Sequence, residues 1–379
     1  MAKYFFIAGE ASGDKHAAEL IQQMRQREPE ALFAGLGGDL METAGCVIYR
    51  HIRYMAFMGV VAVLRHWRDV KENFRIAREA LLKEQPDVLV LIDYPSFNLK
   101  MASFCKKQLP KTKIVYYIPP KVWAWKKRRV HRIARLCDQV LGIFPFEPAF
   151  YARYGYSCEY VGHPTVEQVE KVRGERLKVK GERAKVKGER AKDSIALLPG
   201  SRPGEISHCL PQMLKAARHF PTYNIIVCAA PGIEDDFYAP YLREDERLTR
   251  DTYATVQQAA AAIVNSGTAT LETALLECPQ VAVYHVAFSR VFEIVFRCLK
   301  PVLFSIPYFT PVNIIVGKEV IKECVAYDFT VDKVTAELGR LLRDEAYKKE
   351  LLASYEQLSS ILGSRSASGT AADIITSKP

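Results

Sequence analysis

The chain alternates short, nearly unbroken apolar runs with longer stretches in which apolar residues recur every three or four positions. Runs at 4–8, 31–35, 88–92, 113–117 and 139–143 predict buried strands in the first half. Runs at 194–198, 224–228, 261–265 and 280–284 predict four more in the second. Between them the spacing turns helical: residues 71–83 place Phe74, Ala77 and Leu81 on one face, with charges elsewhere. Strand and helix in repetition is the signature of βαβ units, and so of parallel sheets covered by helices. The expected fold class is α/β, with two Rossmann-like doubly wound domains facing a central cleft. The expected division is 1–170 for a first domain, 171–193 for a linker, 194–340 for a second domain and 341–379 for a terminal helix.

Residues 172–192 break the pattern with three near-copies of a seven-residue unit, holding nine Lys/Arg against three Glu. That is net +6 of the chain's +10, so the rest is only mildly basic. Each copy has one Gly and almost nothing apolar, which predicts a solvated linker rather than a coiled coil. Nucleic-acid binding by this basic stretch is the rival reading from another functional class.

Hydrophobic residues at 49% and charged residues at 25% match ordinary globular usage and exclude global disorder, and 379 residues suit two domains. Nine cysteines without a Cys-x-x-Cys pair argue for reduced thiols in a cytosolic protein rather than a disulfide scaffold or a structural zinc site. The opening apolar run is too short for a signal peptide. The most apolar longer stretch, 291–309, is broken by Glu293, Arg297, Lys300, Pro301 and Pro307, so no spanning helix is expected.

In open parallel sheets, ligands sit beyond the carboxyl ends of the strands, so the loops there carry the candidate chemistry. After the run at 194–198 comes Pro199-Gly200-Ser201-Arg202-Pro203-Gly204-Glu205. Its glycines admit a ligand to the backbone, and Arg202 can fork onto a phosphate at a helix amino end. After 261–265 comes Ser266-Gly267-Thr268-Ala269-Thr270-Leu271-Glu272, where Thr268 or Thr270 can hydrogen-bond a phosphate and Glu272 can accept two sugar hydroxyls. Neither loop has the Walker spacing, and the Gly-x-Gly-x-x-Gly fingerprint is absent, which disfavours kinases and dinucleotide oxidoreductases. In the first half, Ala8-Gly9-Glu10-Ala11-Ser12-Gly13-Asp14 is a polar turn directly after a strand. Asp93, ending the run at 88–92, is placed to be partly desolvated, which suits a general base.

These segments, together with Gly35-Leu36-Gly37-Gly38, Asp93–Asn98, Val122-Trp123-Ala124-Trp125, Pro145-Phe146-Glu147, Val161-Gly162-His163-Pro164 and Asn313, resemble lipid-A-disaccharide synthases in order along the chain. The resemblance implies an inverting glycosyltransferase of the two-domain GT-B class. Its substrates would be UDP-2,3-diacylglucosamine and 2,3-diacylglucosamine 1-phosphate (lipid X), joined through a β(1→6) bond with release of UDP. The expected UDP-sugar ligands are Gly200, Ser201, Arg202, Gly267, Thr268, Thr270 and Glu272. Asp93 is the first candidate for the base and Glu10 the second. Ser12, Asn98 and Asn313 are further site residues. No metal or other cofactor is called for. As the nearest rivals of the same fold, a UDP-N-acetylglucosamine 2-epimerase and an N-acetylglucosaminyl transferase would share the nucleotide loops.

The acylated substrates imply peripheral contact with an anionic membrane, on the cytoplasmic face of the inner membrane, and no nucleic acid. Phe57, Met58 and Val61 in an apolar run followed by Trp67 and Arg68 form one candidate membrane and acceptor region, and Trp125, Arg128 and Arg129 the other. The family includes homodimers with exchanged carboxyl-terminal segments. In GT-B chains a terminal helix, here placed at 335–362, packs back on the first domain. Two departures from the family pattern stand out: Ala62 where Glu is usual, and Pro120-Lys121 in place of a Ser-containing pair.

Overall fold

The computed structural model describes residues 1–55, 67–124, 127–180, 193–285 and 307–377. Two compact units divide it: residues 1–164 with 364–379, and residues 165–363.

The first unit is built on seven parallel strands: β1 (Lys3–Ala8), β2 (Leu32–Gly37), β3 (Val47–His51), β4 (Val88–Ile92), β5 (Lys113–Tyr117), β6 (Gln139–Gly142) and β7 (Glu159–Tyr160). Their order is β3-β2-β1-β4-β5-β6-β7. Ile7, Leu36, Leu89, Leu91, Ile114 and Tyr116 are fully buried in its core. The covering helices are α1 (Ala11–Arg27), α2 (Asp39–Thr43), α3 (Trp67–Glu84), α4 (Pro95–Gln108), α5 (Arg129–Leu136) and α6 (Glu147–Ala152). On α3 the predicted face holds: Ala77 and Leu81 are buried, and Phe74 stacks on Phe97 at 4.3 Å.

The second unit opens with α7 (Pro164–Lys180) and has six parallel strands. They are β8 (Ser194–Leu198), β9 (Asn224–Cys228), β10 (Arg247–Thr249), β11 (Ala261–Asn265), β12 (Gln280–Tyr284) and β13 (Glu323–Val325), in the order β10-β9-β8-β11-β12-β13. The remaining helices are α8 (Pro203–Ala217), α9 (Thr252–Gln258), α10 (Thr268–Leu275), α11 (Pro311–Val316), α12 (Val331–Arg343), α13 (Glu345–Leu362) and α14 (Ala367–Thr376).

All nine predicted strands form, while β3, β7, β10 and β13 were not foreseen. These four are the outer strands of the two sheets. Central strands are covered on both faces and read as continuous apolar runs; outer strands are short or half-exposed and carry no such run. β8 and β11 are buried throughout, whereas β3 is buried nowhere.

Three expectations need correction. The repeat at 172–192 is not a linker from its start, because α7 runs through its first copy to Lys180. Glu, Arg, Lys and Leu are good helix formers, and one Gly does not stop a helix anchored by buried Val166 and Val169. Arg173 also fastens it, with Nη2 donating to the Leu275 carbonyl at 2.6 Å. The boundary between units falls at residue 164 rather than 170. Finally, the terminal stretch 335–362 is two helices, α12 and α13, and both stay with the second unit. Asp344 separates them by capping α13, its Oδ1 accepting from Tyr347 N at 2.9 Å. The segment that joins the first unit is α14, whose small buried residues Ala367, Ser368, Gly369, Ala371 and Ala372 let it lie close to α1. There Arg27 donates to the Gly369 carbonyl at 3.1 Å and pairs with Asp373.

Within each sheet the chain order reverses once at the centre, between β1 and β4 and between β8 and β11. Loops leaving neighbouring strands there diverge to opposite faces and open a crevice at the carboxyl edge. The backbone is tightly packed beside the first of these points. A Cβ at Gly35 would lie 2.2 Å from the Phe6 carbonyl oxygen, where the β2–β3 register also shifts. Gly35→Ala is therefore expected to lower the unfolding free energy by about 1–3 kcal/mol in urea denaturation.

Candidate functional site

At the first unit's reversal point, β1 runs into Gly9 and Glu10, the N-cap residue of α1, while β4 runs into Asp93 and Tyr94 ahead of α4. Asp93 and Tyr94 both adopt left-handed backbone, with φ of 43° and 46°. Two such residues in succession are strained and need local restraint. Asn98 supplies part of it, donating from Nδ2 to the carbonyls of Asp93 at 2.7 Å and Ile92 at 3.1 Å. Tyr116 adds a third bond, its hydroxyl donating to the Asp93 carbonyl at 2.7 Å. The Tyr94 ring occupies the space over Gly9, where a Cβ would come within 2.3 Å of it. The two loops thus interlock.

This arrangement presents the Asp93 side chain at the carboxyl edge. The residue has open surface yet is ringed by protein. That crowding raises its carboxyl above the usual carboxylate range, while the Lys121 ammonium and the Tyr94 N–H pull it back. Glu10 is half-buried and Ser12 exposed on the first turn of α1. Asn98 is wholly buried, so its place is behind the turn, not at the surface. Asp14, from the same polar segment, points inward and accepts from the backbone N–H groups of Gly38, Leu40 and Met41 at 2.7–3.2 Å. It caps the neighbouring helix α2.

Loops after β5, β6 and β7 add Lys121, Glu147 and His163. Glu147 is 1% exposed and accepts from Trp123 Nε1 at 3.0 Å and Phe144 N at 2.9 Å. Burial pushes its carboxyl up to about 7 in spite of these donors. His163 lies edge-on to Phe144, and burial, with Lys121 and His16 nearby, pushes it down to about 3. It is a packed neutral imidazole.

In the second unit, Gly200 follows β8 with φ of +123°, a conformation that favours glycine. A side chain there would meet Asn265 and Glu205 at 2.7 Å. Arg202 is the exposed N-cap residue of α8. One turn on, Glu205 folds back over this loop, accepting from Ser201 N at 3.1 Å and Arg202 Nη1 at 3.1 Å. A carboxylate of the chain itself therefore already faces the amino end of α8. The other loop is more open. Gly267 is the N-cap residue of α10, no side chain caps it, and nothing lies within 4 Å of where its Cβ would be. Thr268 is exposed at the first position of α10 and Glu272 is half-buried one turn later. Thr270 is fully buried, with its hydroxyl donating to the Gly267 carbonyl at 2.7 Å, so of the two threonines Thr268 is the one at the surface.

Asn313, on α11, is also fully buried. Its Oδ1 accepts from Val320 N and Ile321 N at 2.8 and 2.9 Å, and its Nδ2 donates to the Ile321 carbonyl and Glu323 Oε1, both at 2.9 Å. Every donor and acceptor of the amide is spent on holding the loop before β13.

A family profile described as "Lipid-A-disaccharide synthetase" matches residues 4–375. A lipid-A-disaccharide synthase from Geobacter sulfurreducens is 34% identical over 381 residues, 98% of this chain and 96% of that protein. The chain belongs to the lipid-A-disaccharide synthase family. Among solved structures it is similar to a UDP-GlcNAc 2-epimerase from Neisseria meningitidis bound to UDP-GlcNAc, with a TM-score of 0.65 at 10% identity over 98% of this chain and 99% of that one. It is likewise similar to the glycotransferase of kitacinnamycin, with a TM-score of 0.63 at 12% identity over 99% and 98%. At such identities these likenesses concern the fold, which is of the GT-B class with two Rossmann-like units. The chain is a glycosyltransferase, and the epimerase and nucleic-acid readings give way to a family match that spans nearly all of it.

Within this family assignment, four of the residues expected at a membrane or acceptor surface, Phe57, Met58, Val61 and Trp125, lie outside the described residues. Trp67 and Arg68 are exposed at the start of α3, and Arg128 is exposed just before α5, where Arg129 is half-buried. Both helices pack against α4. Sequence reasoning missed Glu205, Glu323 and Asp14 as partners of backbone N–H groups. A Glu three residues into α8 is a legible capping signal; the other two act across the fold and leave none.

Asn313→Ala removes four hydrogen bonds at once, three of them buried, and is expected to cost about 2–4 kcal/mol in chemical denaturation, the range for stranding buried partners. Glu147 offers a pH test. The folded protein holds its proton more tightly than the unfolded chain, so its contribution is complete below about 4.5 and is lost as pH rises through about 7. His163, pushed down to about 3, slopes the other way over part of that window, so a difference is needed. The unfolding free energy of wild type minus that of Glu147→Gln should fall as pH rises from 4.5 to 7. A flat difference would contradict the assignment.

Proposed function

We propose that this glycosyltransferase joins UDP-2,3-diacylglucosamine to the 6-hydroxyl of 2,3-diacylglucosamine 1-phosphate, giving the β(1→6) disaccharide 1-phosphate and UDP. The observation that carries the reading is Asp93: a crowded carboxylate on a strained, braced turn at the centre of a parallel sheet. Inversion in one step needs a base on the face of the donor sugar opposite its leaving group. Asp93 takes the proton of the 6-hydroxyl as that oxygen bonds to the anomeric carbon and the bond from that carbon to the diphosphate oxygen breaks. Glu10, in the neighbouring loop, is the second candidate for the base and otherwise a clamp on an acceptor hydroxyl.

The departing diphosphate gains charge, and the second unit is suited to receive it. The open amino end of α10 at Gly267 and Thr268 offers backbone N–H groups and a hydroxyl, and Arg202 a guanidinium, with Gly200 and Ser201 in its loop. Glu272 accepts from the ribose hydroxyls. Glu205 competes for the Arg202 side chain, so Arg202 exchanges a carboxylate for a phosphate when the nucleotide binds.

No helix among the described residues is long and apolar enough to cross a membrane. Contact with an anionic membrane surface through Trp67, Arg68, Arg128 and Arg129, on the cytoplasmic side, accords with acylated substrates. Lys71 lies 4.2 Å from the Trp67 ring centroid, which pairs an aromatic with a cation as interfacial segments do.

Purified protein given both monosaccharide lipids should yield a disaccharide 1-phosphate by mass spectrometry. Asp93→Asn should lower kcat by about 10²–10⁴ while calorimetric UDP affinity stays within about twofold of wild type. Near-normal turnover in that variant would transfer the role of base to Glu10.

A further inference from the structure

The reaction as derived leaves Lys121 without a task. It follows β5 through Ile118-Pro119-Pro120, and the Ile118 carbonyl accepts from Asp93 N at 3.2 Å, so the loop after β5 is tied to the turn that presents Asp93. The two prolines stiffen the path between that bond and Lys121. The lysine has open surface, its Nζ lies 5.6 Å from the Phe144 ring centroid, and among the described residues no carboxylate pairs with it within 4.0 Å.

Three titratable groups lie within electrostatic reach of it: Asp93 from the β4 loop, Glu147 from the β6 loop and His163 after β7. Glu147 has its oxygens committed to Trp123 and Phe144, and burial draws it toward neutrality. His163 is neutral. The ammonium therefore acts chiefly on Asp93. A cation beside a general base is a handicap, because it stabilises the carboxylate and weakens its hold on a proton. The handicap disappears if the substrate brings a matching negative charge. The acceptor in our reading of the function carries one, a phosphate monoester on C1, joined through the ring oxygen to the carbon that bears the 6-hydroxymethyl arm.

We propose that Lys121 is an acceptor-specificity residue whose ammonium receives the anomeric phosphate of the acceptor beside Asp93. The inference rests on the functional reading above. The phosphate offsets the field of the lysine, so the base acts at full strength when a phosphorylated sugar is in place. An acceptor lacking phosphate leaves the ammonium directed at Asp93.

The test compares wild type, Lys121→Met and Lys121→Arg at saturating UDP-2,3-diacylglucosamine, in non-ionic detergent micelles that carry no phosphate headgroups. The acceptors are 2,3-diacylglucosamine 1-phosphate and the same lipid without its phosphate. One charge-assisted contact predicts that wild type prefers the phosphorylated acceptor by about 10- to 100-fold in kcat/KM. Lys121→Met should reduce that preference to below about threefold, mostly by losing rate on the phosphorylated acceptor, with the KM of the donor within about twofold. Lys121→Arg should keep most of the preference. Inorganic phosphate should compete with the phosphorylated acceptor in wild type and Lys121→Arg but not in Lys121→Met. An equal loss on both acceptors, or an unchanged preference, would overturn the inference while leaving the functional reading intact. Absence of any disaccharide from wild type would overturn that reading and the inference with it.

Discussion

The constraint on which the structure depends is the reversal of strand order at the centre of each parallel sheet. Between β1 and β4, and again between β8 and β11, successive connections leave to opposite faces, and the backbone cannot close over the gap. The residues proposed as the base and as ligands of the nucleotide lie at or just beyond one of these gaps: Glu10 and Asp93 in the first unit, and Gly200, Arg202, Gly267, Thr268 and Glu272 in the second. The strands themselves are apolar and buried, so the fold leaves polar chemistry to the loops at their carboxyl ends.

Carboxylates divide by what they face. Asp14, Glu147, Glu205 and Glu323 turn toward backbone N–H groups of the chain: Asp14 caps α2, Glu147 holds Phe144, Glu205 holds Ser201, and Glu323 holds Phe309 and Thr310. Each satisfies donors that would otherwise be stranded at a helix or loop end. Asp93 differs in that its backbone, rather than its carboxylate, is what the surrounding side chains restrain. Asn98, Tyr116 and Ile118 take up its peptide groups and leave the carboxylate to the edge of the sheet. A rigid turn beneath a crowded acid is what general-base catalysis requires.

Much of this was legible in the amino-acid sequence, for a physical reason. Central parallel strands are buried on both faces, so their apolar runs stand out, and the loops after them follow by topology. The outer strands β3, β7, β10 and β13 were not legible, because one flank lies open and the composition there is mixed. The helix through the first copy of the charged repeat was misread, since low apolar content says little about a segment anchored elsewhere by Val166, Val169 and Arg173. At the candidate site, Asp93 and the glycine loops could be picked out by position. The inward roles of Asn98, Thr270 and Asn313 could not, because a polar side chain spent on the chain's own backbone has the same one-letter code as one that awaits a ligand. Glu205 was the one missed partner with a local signal, three residues into α8.

The central claim is that the nucleotide is gripped at the carboxyl edge of the second sheet. Hydrogen–deuterium exchange of the whole chain, with and without saturating UDP, tests it most directly. The account predicts that the amides gaining most protection are those of residues 199–205 and 266–272. Protection confined to the first unit, or no change in the two loops of the second, would contradict it.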